Sequence, residues 1–179
     1  TTRRPPRSTL LDIRRQRQMC IRDSNRDDMN NSYTREIVVS SMPALAYKAL
    51  TIRFDKWWTT GCNQISEAGD KITFKFGPSY WVMCARNLVP EKLIELECIE
   101  AHHVHDGLSS SILNEWNGSK LKWEIQKQGE KTKIVFVHDG LAPSLECYEV
   151  CEQGWDYFFV NSLKQYLDTG KGSPFENEA

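Results

Sequence analysis

The segment SLECYEVCEQGWDYFFVNSLKQYLD, residues 144–168, decides how the rest of the chain must be arranged. Tyr148, Cys151, Trp155, Phe158 with Phe159, Leu163 and Tyr166 recur at helical spacing. Glu149, Glu152, Gln153, Asp156, Asn161, Lys164 and Gln165 fall on the opposite side. The spacing predicts one amphipathic helix, about 36 Å long at ~1.5 Å per residue. Pro143 with Ser144 as N-cap opens it, Glu146 and Glu149 suit the positive end of the helix dipole, and Gly170 followed by Pro174 stops it. A stripe this wide and aromatic needs a broad apolar surface beneath it. Burying about six large side chains is worth on the order of 10 kcal/mol before conformational entropy is subtracted. Gly154 interrupts the stripe at a cost of about 1 kcal/mol relative to alanine. Either a slight bend around the core or a close approach to sheet or ligand has to offset that cost.

The surface the helix needs is supplied upstream by residues that alternate with period two. KLKWEIQK sets Leu121, Trp123 and Ile125 against Lys120, Lys122, Glu124 and Gln126, and Gly129-Glu130 turns it into TKIVFVHD. Before it, Ile72, Phe74 and Phe76 alternate with Thr73 and Lys75, Gly77-Pro78-Ser79 turns into YWVMCARNLV, and Pro90-Glu91 turns into KLIELECIEAHH. Residues 111–116 read as a short strand, joined to the next by a hairpin at Asn117-Gly118. Nearer the N-terminus, residues 33–40 carry Ile37, Val38 and Val39 as a first strand. Ser41 and Pro43 then open a short helix through Leu50, and a second helical segment runs to Trp58. Strands segregated from one long helix imply an α+β fold, in which a curved antiparallel sheet of about seven strands wraps the C-terminal helix. A curved sheet gripping a straight helix leaves space between them, where a ligand would sit.

The totals narrow the function classes. A chain of 179 residues with a net charge of −1 supports one sizeable core and argues against general nucleic-acid binding. No apolar run approaches the roughly 20 residues of a membrane span, and none resembles a signal-peptide core, so a cytoplasmic location is expected. Six cysteines without a close CxxC pair point to reduced thiols. Cys147 and Cys151, one helical turn apart, have the spacing to share a metal but read more simply as small packing residues. Phosphate-loop, dinucleotide and nucleophile-elbow fingerprints are missing, so no cofactor, no metal and no catalytic residue are assigned.

Arginine usage marks a boundary, because eight of the eleven arginines precede Asp27. Residues 1–28 lack any helical or strand period. They read as a basic targeting or nucleic-acid arm, as a disordered extension, or as a non-native leader. RRQRQMCIRDS looks like translated adapter read-through, and Met29 is a natural start. Residues 29–179 are expected to form the single folded domain.

DKWW after the first helices, KIVFVHDGL before the last, and above all GWDYFFVNSLKQYLDTGKGSPF resemble the START-like (SRPBCC) superfamily. Within it they resemble the branch named after the C-terminal domain of the activator of heat shock protein 90 ATPase, over about residues 33–175. The resemblance implies a helix-grip fold around a hydrophobic cavity. It implies no fixed chemistry, since relatives include lipid carriers, hormone receptors, polyketide cyclases and co-chaperone modules. The eukaryotic activator has a separate N-terminal domain that makes much of the chaperone contact, and this chain is expected to lack a counterpart.

The aromatic residues exceed what a small core needs. Trp57, Phe74, Phe76, Trp81, Met83, Trp123, Phe136, Trp155 and Phe159, with His102 and His138 as polar contacts, are the candidate ligand-binding set. His103 and His105 share one face of an extended strand, a spacing compatible with two metal ligands, though strand-end histidines usually meet solvent or loop backbone. The expected function is non-enzymatic binding of an apolar small molecule, as in lipid binding. A co-chaperone-like accessory module and a polyketide-cyclase-like enzyme are the alternatives.

Overall fold

Alternating apolar residues build the sheet. β1 (Ser32–Val39) buries Tyr33, Ile37 and Val39, and a short helix, α1 (Pro43–Ala49), follows with proline in its first turn. A 3-10 turn (Phe54–Lys56) carries the chain into β2 (Gly61–Cys62), β3 (Lys71–Phe76), β4 (Ser79–Val89) and β5 (Leu93–His102). A second 3-10 turn (Ser110–Asn114) precedes β6 (Lys120–Gln128) and β7 (Lys131–Asp139). These elements come from a computed structural model that describes residues 31–178. The segment 1–28, the start at Met29 and Cys20 lie outside the described residues.

Among the described residues the seven strands form one antiparallel sheet in the order β1-β7-β6-β5-β4-β3-β2, so the first strand returns to pair with the last. Irregularities between β4 and β5, at Val82/Met83 and Ala85/Asn87, bend the sheet. Its concave face receives the C-terminal helix. This is the α+β helix-grip fold expected from the alternation, with one exchange of members. Residues 111–116 do not form a strand: Ser109 Oγ accepts from the Ser111 amide, a 3-10 turn results, and Trp116 turns inward, 5% exposed. The two-residue β2 makes up the seventh strand instead.

The helix is divided into α2 (Tyr148–Trp155), a π-helical stretch (Asp156–Leu163) and α3 (Lys164–Thr169). Its N-cap is Cys147, three residues beyond the expected Ser144. The Glu115 carboxylate, from the loop across the cleft, accepts from the amides of Glu146 (3.0 Å) and Cys147 (2.9 Å) and does the work assigned to Ser144. Gly170 closes α3 with φ +84°, a left-handed conformation that disfavours a side chain.

Side-chain hydrogen bonds tie the helix to β1 and to the segment before β2. Asp156 accepts from Tyr33 Oη (2.6 Å) and Arg35 Nε (3.0 Å), while Arg35 also reaches Glu152 (3.0 Å). At the other end Ser162 Oγ donates to the Trp57 carbonyl and accepts from the Ser173 amide. The tail then runs beside Thr59, with Phe175 donating its amide to the Trp58 carbonyl.

Candidate functional site

The middle of the helix presses onto a solid aromatic core. Trp123 stacks on Phe136 (5.0 Å, 19° between planes), Phe136 meets Trp155 (4.4 Å) and Phe159 (5.1 Å), and Phe54 meets Phe74 edge-on at 4.9 Å. Trp57 donates its indole N–H to the Ala49 carbonyl at 2.8 Å, a purely structural bond. Trp57, Phe74, Met83, Trp123, Phe136 and Phe159, all in the candidate set, are completely buried, and none lines the cleft described next.

The open space lies nearer one end, between the N-terminal half of the helix, the β3–β4 turn and the loop after β5. It is an apolar cleft of about 240 Å³. Its aromatic wall is a closed circuit of ring contacts: Trp58 to Phe76 (5.9 Å), Phe76 to Trp81 (5.7 Å), Trp81 to Trp116 (5.0 Å), Trp116 to Trp155 (6.0 Å) and Trp155 back to Trp58 (4.8 Å). Phe158 adds a sixth ring, 5.6 Å from Phe76. Val150, Cys151 and Gly154 contribute the helix face, and Ser79, His103, Val104 and His105 the rest. Of the candidate set, Phe76, Trp81 and Trp155 line this cleft.

The two histidines named in that set take other places. His102, half-buried, stacks over Tyr80 (5.3 Å, 14°), and it is the next residue, His103, that turns in against Trp81 at 5.1 Å. Strand pairing ends at His102, so the alternation that governs β5 no longer fixes which way the following residues point. His138 lies fully buried behind the wall. Trp155 Nε1 donates to His138 Nδ1 (3.1 Å), which therefore carries no proton, so the neutral ring holds its proton on Nε2 and donates to Ser119 Oγ (3.0 Å). Burial pushes the His138 pKa down to about 3, and burial, with His105 nearby, pushes His103 down to about 4. Both rings are neutral near pH 7, and His138 serves to hold the Trp155 indole in the wall.

Trp58, Trp116, Phe158 and His103 are the cleft residues outside the candidate set that shape it most. Trp116 was hidden by the strand reading of residues 111–116. Phe158 faces the cleft while Phe159 enters the core, as neighbours about 100° apart around a helix can. The Gly154 question is answered by space: a methyl group there would meet no atom within 4 Å. No close approach demands glycine, so its effect is to leave the cleft open.

Two polar atoms of the wall, Trp81 Nε1 and His103 Nδ1, are buried without a hydrogen-bond partner. Such atoms cost ~1–3 kcal/mol each, and a ligand that satisfies one gains by it. Beside His103 lie Cys147 and Cys151, both buried; Cys62, Cys84, Cys98, Cys147 and Cys151 are free thiols. Hydrogen bonding with Cys151, then burial, pushes the Cys147 pKa far above the ordinary thiol range, so Cys147 stands as a protonated thiol.

The profile of the family described as Activator of Hsp90 ATPase homolog 1-like protein matches residues 41–168. Among solved structures, the chain is similar to the Aha1 dimer from Colwellia psychrerythraea, at 23% identity and a TM-score of 0.64, over 79% of this chain and 98% of that one. It is similar to DynU16, a protein in the dynemicin biosynthetic locus, at 15% identity and a TM-score of 0.62, over 79% of this chain and 49% of that one. CalU16 from Micromonospora echinospora is similar at 14% identity and a TM-score of 0.52, over 79% and 76%. At these identities the likeness concerns the fold. A comparison with curated proteins found no match. Among the described residues no helix is long and apolar enough to cross a membrane.

Proposed function

The chain belongs to the Activator of Hsp90 ATPase homolog 1-like family, and from that premise we propose that it binds a small, flat, apolar molecule without covalent chemistry. The closed circuit of aromatic rings around the cleft carries this reading. Flat ligands stack on such walls, whereas a long acyl chain gains less from them. The volume of about 240 Å³ lies below the ~300–1,000 Å³ of sites for drug-sized molecules, which favours a ligand of two or three fused or linked rings.

Titration calorimetry of the full chain with naphthol, the flavonoid naringenin and palmitate tests the reading. The two aromatic compounds should bind and palmitate should bind more weakly. Gly154→Leu, which fills the cleft from the helix side, should abolish binding while leaving the far-ultraviolet circular dichroism unchanged. Absence of binding across the panel, or binding unchanged in the variant, rejects it. Chemical conversion of a bound compound would move the assignment to the cyclase-like alternative, with His103 and His105 as the cleft's titratable groups.

The family and the likeness to the Aha1 dimer favour a second reading, an accessory module acting on the heat shock protein 90 ATPase. It predicts altered ATP turnover when the full chain is added in excess to that enzyme. An unchanged rate rejects it.

A further inference from the structure

Beyond organic ligand binding, we propose that His103, Cys147 and Cys151 form a binding site for a zinc ion, whose fourth coordination position faces the aromatic cleft. One ligand atom from each residue lies within 4.8 Å of the other two, and all three side chains are buried. The histidine comes from the loop after β5 and the cysteines from the start of α2, a combination invisible in sequence spacing. Their donor types, two sulfurs and an imidazole, are those of zinc sites that keep one position open. A tetrahedral ion with bonds of ~2.3 Å to sulfur and ~2.0 Å to nitrogen sets its ligands roughly 3.5–3.8 Å apart. From a spacing of up to 4.8 Å, closure by about 1.3 Å or less therefore suffices.

A second observation points to the same ligand. His103 is 5% exposed, yet its Nδ1 has no hydrogen-bond partner, which is unusual for a ring so deeply placed. Trp116 adds an outer contact: its indole N–H is directed at Cys151 Sγ, 3.3 Å away, as suits a sulfur that becomes a thiolate. Charge selects the ion. Binding releases the two thiol protons to water, and a divalent ion then balances two thiolates around a neutral imidazole. Monovalent copper would leave a net negative charge beside the Glu115 carboxylate, which already caps the same turn. Entry is through the cleft, which His103 and Cys151 both line.

The test uses the reduced full chain and metal alone, so its result is independent of any organic ligand. Cobalt(II) should bind with one-to-one stoichiometry, give a thiolate charge-transfer band and tetrahedral d–d absorption, and be displaced by zinc. The band should vanish in Cys147→Ser/Cys151→Ser, and His103→Ala should weaken zinc binding at least about tenfold. Should the serine variant fail to fold, X-ray absorption at the zinc edge of the wild-type protein decides: two sulfur and two nitrogen or oxygen neighbours are expected. No band at stoichiometric cobalt, a band that survives in the folded serine variant, or a zinc shell without two sulfurs overturns the proposal. Tighter binding of copper(I) than zinc in a competition assay overturns the choice of ion.

Discussion

His138 couples one proton to the shape of the cleft. Its Nδ1 accepts from Trp155, so an added proton would set two donors against each other in a fully buried place. With a folded pKa near 3 against ~6.5 unfolded, the unfolded chain takes up a proton that the native chain refuses as the pH falls between these values. That part of the stability is present above ~pH 6.5 and is lost towards pH 3. Urea unfolding should show the contribution falling by about 2 kcal/mol between ~pH 7 and ~pH 5. His138→Gln, which keeps an acceptor for the indole but does not titrate, should remove that share of the slope; equal slopes in both proteins would contradict burial of a neutral His138 ring. Gly154 gives a second prediction at this scale. Gly154→Ala meets no clash and should raise stability by about 1 kcal/mol, because the helix gains alanine's propensity. The same change should weaken naphthol binding, since the added methyl narrows the cleft.

Adjacent residues of the helix do different jobs. Phe159 is fully buried against Phe136, whereas Phe158 is half-buried over the cleft. Phe159→Ala should cost about 3–5 kcal/mol in a denaturant titration, and Phe158→Ala far less while weakening ligand binding. Equal stability losses would mean that the two rings are not divided between core and cleft as described. The tail obeys a tighter constraint. A methyl on Gly172 would clash with the Lys56 carbonyl oxygen and sit 3.1 Å from that of Ser162, both backbone atoms. Gly172→Ala should therefore detach residues 173–177, seen as faster amide exchange at Thr60 and Phe175, whose amides pair across this join. At this scale the sequence was readable where the alternation in β3, β6 and β7 fixed those strands and where the aromatic stripe in residues 144–168 required a helix, although its π-helical middle left no signal of its own. It was unreadable where a side chain from elsewhere took over a local role. Glu115, not Ser144, caps the helix, and the turn before it turns Trp116 inward, where a strand was expected.

For the molecule as a whole, the helix-grip fold was legible because the helix's aromatic face and the sheet's alternation require each other. The cleft was legible only in kind. An aromatic surplus announces that some rings line a space, but all inward-facing rings look alike in a period-two pattern. Distance from the middle of the helix separates them: at the centre Trp123 and Phe136 fill the gap completely, and towards the N-terminal end of the helix the loop after β5 leaves it open. The six tryptophans divide accordingly, four on the cleft and two, Trp57 and Trp123, in the solid interior. Titration of the nitrogen-15-labelled protein with naphthol, followed through the six indole N–H resonances, tests this division directly. The resonances of Trp58, Trp81, Trp116 and Trp155 should shift in a saturable manner while those of Trp57 and Trp123 stay in place. Shifts centred on Trp57 and Trp123, or no saturable shift at any tryptophan, would contradict it.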